Sequence, residues 1–202
     1  MRFLKNRLNG ASDEQLMSAI QNGSSHSLEE LYNRYNRRIL IYFYRMLGEE
    51  EKAQDFLQDI FLKIIEHPQS FDTNRKFVKW VFSIAANMCK NEYRYLEVRK
   101  NAHNGKMNDM ELTTELEMEN ELDHAQFKMQ LSREIRELDA DQRNTFLLRF
   151  QENFSIRDIS QILKCSEGTI KSRLHYITRK LAIKLKDFDP LTEKVSYHEN
   201  QK

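Results

Sequence analysis

Apolar residues recur at helical spacing through most of the chain. Leu28, Leu31, Tyr32, Tyr35, Ile39, Tyr42, Phe43 and Met46 fall at i, i+3, i+4, i+7 intervals, which predicts a helix with one buried stripe. This periodicity begins near Asp13, and Gly48 ends the run. A second stripe carries Ala53, Phe56, Leu57, Ile60, Phe61, Ile64 and Ile65, and Pro68 closes it. The stretch from His67 to Asn74 reads as a loop. A third stripe carries Phe77, Trp80, Val81, Ile84, Ala85 and Met88. Together these predict a helical domain over residues 11–96, a size that can fold alone. The pattern fades from Glu97, returns near Phe127 and lasts to about Lys186. Residues 97–123 therefore read as a linker, 124–186 as a second small helical domain, and 187–202 as a polar, disordered tail. No internal repeat and no strand is evident, so the expected fold class is all-α.

The second domain carries the marks of a helix-turn-helix. Asp139 with Gln142 resembles a capping box that opens a helix to about Gln151. Ser155 with Asp158 repeats the signal for a short helix to Leu163. Lys164 and Cys165 are turn residues, and Ser166 caps a longer helix. Ile170, Leu174, Ile177, Leu181 and Leu185 form the expected buried stripe of that last helix.

Composition agrees with long helices. There are five Gly and two Pro among 202 residues, too few for a Gly-rich phosphate loop or a turn-dense β fold. The net charge is +1, so any nucleic-acid affinity must come from segregated charge. It is segregated: Asp109 to Asp123 holds seven acids and no base, whereas Lys164 to Lys186 holds seven bases and one acid, Glu167. Two cysteines, Cys89 and Cys165, make no disulfide framework and suit a reducing, cytoplasmic setting. No apolar run approaches the ~20 residues that span a bilayer, so no membrane insertion is expected.

Three candidate faces follow. In the second predicted helix, Asp55, Gln58, Asp59 and Leu62 make an exposed line at helical spacing. Its mix of acid, amide and apolar character suits docking to a basic partner. In the third, Lys76, Lys79, Ser83, Asn87, Lys90 and Arg94 form a face that can contact phosphates and reach base edges. The preceding loop offers Phe71 and Asn74. Phe71 is either one wall of a slot for an unstacked base or a loop anchor in the core. In the last helix, Lys171, Ser172, Arg173, His175, Tyr176, Arg179 and Lys180 lie off the buried stripe, behind Ser166, Gly168 and Thr169. A recognition helix needs such donors near its N-terminal half and bases behind them. Gly168 fits either close approach to a DNA backbone or simple cap geometry.

These residues carry a family resemblance. Leu28-Glu29-Glu30-Leu31-Tyr32 followed by Asp55-Phe56-Leu57-Gln58-Asp59-Ile60-Phe61 resembles region two of a bacterial sigma factor. So does Phe71-Asp72 followed by Phe77, Trp80 and Ile84-Ala85-Ala86-Asn87. Ser166-Glu167-Gly168-Thr169-Ile170-Lys171-Ser172-Arg173-Leu174 is similar to region four. With these two regions and a short linker, the chain resembles the extracytoplasmic-function (ECF) group. Two features depart from the family pattern: Asn91 stands where Asp is frequent, and the loop from Phe71 to Phe77 is about one residue short. The resemblance implies that the Asp55–Leu62 line docks on the clamp helices of core RNA polymerase. It also implies that the first domain recognises and helps open the minus-ten element of promoter DNA. The second domain would read the minus-thirty-five element as duplex, with Arg149 at a phosphate-contacting position, and the acidic linker would thread the polymerase's basic RNA path. An anti-sigma factor is a further partner class that the family allows.

Two rival classes are less well supported. An enzyme would need a constellation that is missing: six scattered histidines form no ligand pair, and no nucleophile elbow or P-loop occurs. The cysteines lack Cys or His neighbours at metal spacing, so neither a metal nor a cofactor is expected. A stand-alone helix-turn-helix regulator remains the alternative; it would bind duplex DNA by itself, usually as a symmetric dimer.

Overall fold

The computed structural model describes residues 10–102 and 122–188, and among these it contains eight α-helices and no strand. α1 (Asp13–Gln21) opens with a complete capping box between Ser12 and Gln15. α2 (Ser25–Leu47) is capped by Ser24 and stops at Gly48, whose φ of 78° is open to glycine at little cost. α3 (Glu50–Glu66) ends before Pro68, which starts a short 3-10 turn, Pro68–Ser70. α4 (Phe77–Ala102) follows the loop and runs six residues past the predicted domain end at 96. The Glu14 carboxylate of α1 accepts the Phe77 N–H at 3.2 Å, supplying α4 with an N-terminal partner from another helix.

The second half begins with α5 (Leu122–Arg136), which already covers the last residues of the predicted linker. α6 (Ala140–Phe146) is capped by Asp139, which accepts from the Gln142 N–H. The predicted extension to Gln151 exists, but as a π-helical turn, Leu147–Gln151. α7 (Ile156–Leu163) and α8 (Glu167–Lys184) are capped by Ser155 and Ser166 as the sequence predicts. Between them Lys164 takes the left-handed conformation (φ 52°) that lets the chain turn. The acidic run from Asp109 to Glu121 and the tail beyond Phe188 lie outside the described residues.

Stripe edges depart from the periodic reading. Tyr32 and Ile65, assigned to buried stripes, are exposed, whereas Leu31, Ile39, Phe43, Ile60 and Ile64 are fully buried. Leu174 and Leu185 are only partly covered at the edge of the last stripe. The core extends across both halves: Leu147, Leu148, Phe154, Ile159, Ile162 and Ile170 join the cluster built by α1–α4. Leu138, Ile177 and Leu181 form a smaller, separate cluster. At the seam, Phe82 stands edge-on to Tyr42 (5.3 Å between ring centroids) and to Phe154 (5.5 Å).

Phe82→Ala should therefore cost about 3–5 kcal/mol, the usual range for deleting a buried aromatic. A urea titration followed by circular dichroism reads this. A loss below about 1 kcal/mol would contradict the packing described.

Candidate docking and nucleic-acid interfaces

The Asp55–Leu62 line lies on the outer side of α3, because Ala53, Leu57, Ile60, Phe61 and Ile64 take the opposite side into the core. All four predicted residues, Asp55, Gln58, Asp59 and Leu62, are exposed. Leu62 is 49% exposed and Ile65 51%, unusual for large aliphatics without a covering partner. Gln58, Asp59, Leu62 and Ile65 line a groove of about 550 Å³ between α2 and α3, completed by Leu28, Glu29 and Tyr32. Tyr32 stands edge-on to Phe61 at 4.8 Å and forms part of one wall. Asp55 lies on the same helix but outside the groove lining. The groove has an apolar floor with the carboxylates of Asp59 and Glu29 along it, so it suits an apolar helix face edged with cations. Sequence reasoning missed Tyr32 and Ile65 because both fit the helical period of the core stripe.

The face on α4 divides into free and paired residues. Asn87, Lys90 and Arg94 are exposed. Lys76 lies 3.7 Å from Glu14. Lys79 is ion-paired with Asp158 of α7, in the other half of the molecule. Burial alone would raise the Asp158 carboxyl, but the hydrogen bonds from Lys79 and Ser155 outweigh it and hold the group below its usual range. Asp158 is therefore ionised at neutral pH. The Ser83 hydroxyl donates back to the Trp80 carbonyl at 2.7 Å.

In the loop, the reading of Phe71 as a wall for an extruded base is corrected. The ring is 3% exposed and packs on Trp80 (5.1 Å) and Phe77 (5.8 Å), so it is the core anchor. Gln21 holds the same loop by donating to the Pro68 and Phe71 carbonyls at 3.0 and 2.9 Å. Asn74 is exposed, but its backbone N–H and side-chain amide both donate to Asp72 Oδ1 at 3.0 Å. Those hydrogen bonds lower the Asp72 carboxyl below its ordinary range.

On α8, Ser166, Gly168, Thr169, Lys171, Ser172, His175, Tyr176 and Arg179 are all exposed. A Cβ added at Gly168 would meet only Ser166 Oγ, at an ordinary 3.6 Å, so nothing within the chain requires glycine there. Ser166 and Thr169 share a 2.8 Å hydrogen bond between hydroxyls. Two candidates are engaged elsewhere. Arg173 is half-buried and ion-paired with Asp141 of α6. Arg149 is partly buried and donates to the Phe154 carbonyl at 2.9 Å. The exposed part of the helix keeps hydroxyl, imidazole and cationic donors toward its N-terminal half, the chemistry that reads base edges and holds phosphates.

Among the described residues no group of three or more His, Cys, Asp or Glu is placed to hold a metal ion. Cys89 is fully buried, and desolvation pushes its thiol well above the ordinary range. Among the described residues no helix is long and apolar enough to cross a membrane.

Comparison with known proteins bears on both halves. Residues 31–98 match the family model for Sigma-70 region 2, and residues 128–181 match that for Sigma-70, region 4. The chain is 28% identical over 161 residues to the ECF RNA polymerase sigma factor SigL of Mycobacterium tuberculosis, covering 79% of this chain and 89% of that protein. It is 25% identical over 175 residues to the ECF RNA polymerase sigma factor SigW of Bacillus subtilis, covering 83% and 94%. In fold it is similar to the sigma factor RpoE of Bartonella quintana, solved with the anti-sigma factor NepR (TM-score 0.66, 21% identity, 78% of this chain and 96% of that one). It is also similar to CnrH, solved with the cytosolic domain of CnrY (TM-score 0.63, 20% identity, 89% and 99%). Region 2 thus falls on the half with the groove and the α4 face, and region 4 on the helix-turn-helix. The chain belongs to the extracytoplasmic-function group of RNA polymerase sigma factors, which direct transcription initiation.

Proposed function

We propose that the groove between α2 and α3 is the site through which this sigma factor grips core RNA polymerase. We assign minus-ten recognition to α4 and minus-thirty-five recognition to α8. One observation carries the assignment: an apolar groove edged with acids and two basic helix faces lie on separate elements, within the matching sigma regions. Asp59, Gln58, Leu62 and Asp55, with Tyr32 and Ile65, supply the docking surface. An apolar helix lying in the groove would cover Leu62 and Ile65, and its cations would face Asp59.

On DNA the roles divide by chemistry. Lys76, Lys79, Lys90 and Arg94 offer charge to the backbone, while Asn87 and Ser83 offer the neutral donors and acceptors that read edges. Asn74 acts through the loop that it closes with Asp72. On α8, Lys171 and Arg179 hold phosphates, and Ser172, His175 and Tyr176 face base edges. Ser166, Gly168 and Thr169 bring the helix start close to the backbone, where helix N–H groups favour phosphate. Arg149 and Arg173 brace the domain and reach phosphate only by leaving their present partners. The protein performs no covalent step and needs no cofactor; it acts in the cytoplasm, where polymerase and chromosome meet. RpoE of Bartonella quintana was solved with an anti-sigma factor and CnrH with the cytosolic domain of CnrY, which supports an anti-sigma factor as a further partner of this chain.

Co-elution with purified core polymerase tests this reading directly, since a stand-alone regulator would not bind it. Asp59→Arg should change stability by no more than about 0.5 kcal/mol, being an exposed substitution. It should weaken polymerase binding about a hundredfold or more, because a like charge inside a complementary interface costs several kcal/mol. A folded variant with wild-type affinity would rule out this face.

A second expectation concerns α8. In holoenzyme binding to promoter duplex, Lys171→Ala should flatten the slope of log affinity against log salt by about one unit. An unchanged slope would remove Lys171 from the phosphate contacts.

A further inference from the structure

Both ends of the loop that precedes α4 are tied to one short helix. Gln21, the last residue of α1, donates from Nε2 to the Pro68 carbonyl at 3.0 Å and to the Phe71 carbonyl at 2.9 Å. Its own backbone carbonyl accepts from Gln69 Nε2 at 3.1 Å. At the other end of the loop, Glu14 Oε1 accepts the Phe77 N–H at 3.2 Å and lies 3.7 Å from Lys76 Nζ. Glu14 and Gln21 stand at i and i+7, so they share one face of α1, about 10 Å apart along its axis.

The helix that holds the loop is itself fixed. Leu16, Met17 and Ile20 are buried in the core. Asp13 accepts from Arg34 of α2 at 2.8 Å and from the Tyr35 hydroxyl. Arg34 also donates to the Ala11 carbonyl at 2.9 Å. α1 is thus a bracket: anchored on α2 at its start, it sets where Phe71 and Phe77 lie. Between those two points Asp72, Asn74, Arg75 and Lys76 are exposed. A segment held at both ends has less conformational freedom to lose when a ligand orders it, which favours binding by preorganisation.

α1 lies upstream of the residues that match the Sigma-70 region 2 model, which begin at residue 31. We propose that Gln21 and Glu14 are positioning residues for minus-ten reading. They hold the loop over residues 67–77 in the shape that presents its polar side chains to the opened strand, and they touch no DNA themselves. The proposal rests on the assignment of this loop and α4 to the minus-ten element.

The probe is a pool of single-stranded DNA of randomised sequence, bound by holoenzyme assembled from purified core polymerase and the full chain. The sequence that the wild type enriches supplies a preferred strand, and shuffling it supplies the control. Gln21→Leu removes both donors and keeps an apolar stem, leaving the Pro68 and Phe71 carbonyls without that amide. It should narrow the preference for the preferred strand over its shuffle by about tenfold, within the range of one well-placed base contact. Affinity for the shuffled strand should stay within about twofold, because the cations of the loop and α4 are retained. Polymerase affinity should be unchanged, since the groove lies between α2 and α3. Glu14→Leu, which removes the acceptor for the Phe77 N–H, should lose discrimination as Gln21→Leu does. Glu14→Gln keeps an acceptor oxygen and loses only the charge, so it should retain most of the wild-type preference.

Full discrimination by Gln21→Leu, or a loss matched by an equal loss of polymerase affinity, would overturn the positioning role and leave the minus-ten assignment intact. Glu14→Gln behaving like Glu14→Leu would also overturn it, because charge and not the held loop would then matter. If Gln21→Leu does not fold, the two Glu14 variants decide by the same comparison. A wild-type holoenzyme that enriches no sequence would contradict the minus-ten assignment itself, and the positioning role with it.

Discussion

Burial across the seam formed by Tyr42, Phe82 and Phe154 is the constraint on which the rest of the structure depends. None of the three segments involved can bury its ring alone. α2 and α4 bring Tyr42 and Phe82 together, and the turn after the π-helical segment brings Phe154 against them. Once that apolar contact forms, nearby polar groups need partners across the same boundary. Asn144 takes the Tyr42 hydroxyl, Glu152 takes Arg38, and Arg143 joins the Tyr93 hydroxyl in donating to the Met46 carbonyl at the end of α2. Among the described residues no buried side-chain nitrogen or oxygen lacks a hydrogen-bond partner. The hydrophobic contact sets the position and the polar network fixes the register.

Lys79 of α4, one of the cations proposed to meet DNA, is paired with Asp158 of the second half, while Lys90 and Arg94 stay exposed. The seam's ion pairs at Arg38 and Lys79 are partly exposed at the cationic end, where screening limits their strength. The groove on α3 lies apart from these ion pairs, with an apolar floor and acidic charges. The acidic, apolar groove and the cationic helix faces are thereby separated physically on one small helical framework.

The caps at Asp139, Ser155 and Ser166 are legible in the sequence because local physics determines them, whereas the equally local caps at Ser12 and Ser24 emerge only from the structure. Ser12, Ser24, Asp139, Ser155 and Ser166 cap helices through backbone N–H groups within three residues, so the caps are written in adjacent positions. The exposure of Asp55, Gln58, Asp59 and Leu62 followed from the helical period. Tyr32 and Ile65 escaped notice because periodicity gives direction around a helix, and not whether another element arrives to cover the stripe's edge. Phe71 had two readings, and only the placement of Trp80 and Phe77 selects the core one. The partners of Lys79, Arg38 and Arg173 lie between about 30 and 115 residues away, and no pattern in one sequence encodes such pairs. Which macromolecule each face meets is not encoded in local physics, and there the proposed assignment rests on the family resemblance.

The central claim is that this chain confers promoter choice on core polymerase through two separate DNA-reading faces. The most direct measurement is transcription in vitro by purified core polymerase on a library of genomic fragments, with and without the chain, followed by sequencing of transcript 5′ ends. The account predicts start sites that appear only with the chain and share two upstream elements at constant spacing. Identical start sites with and without the chain, or chain-dependent starts that share no such pair of elements, would contradict it.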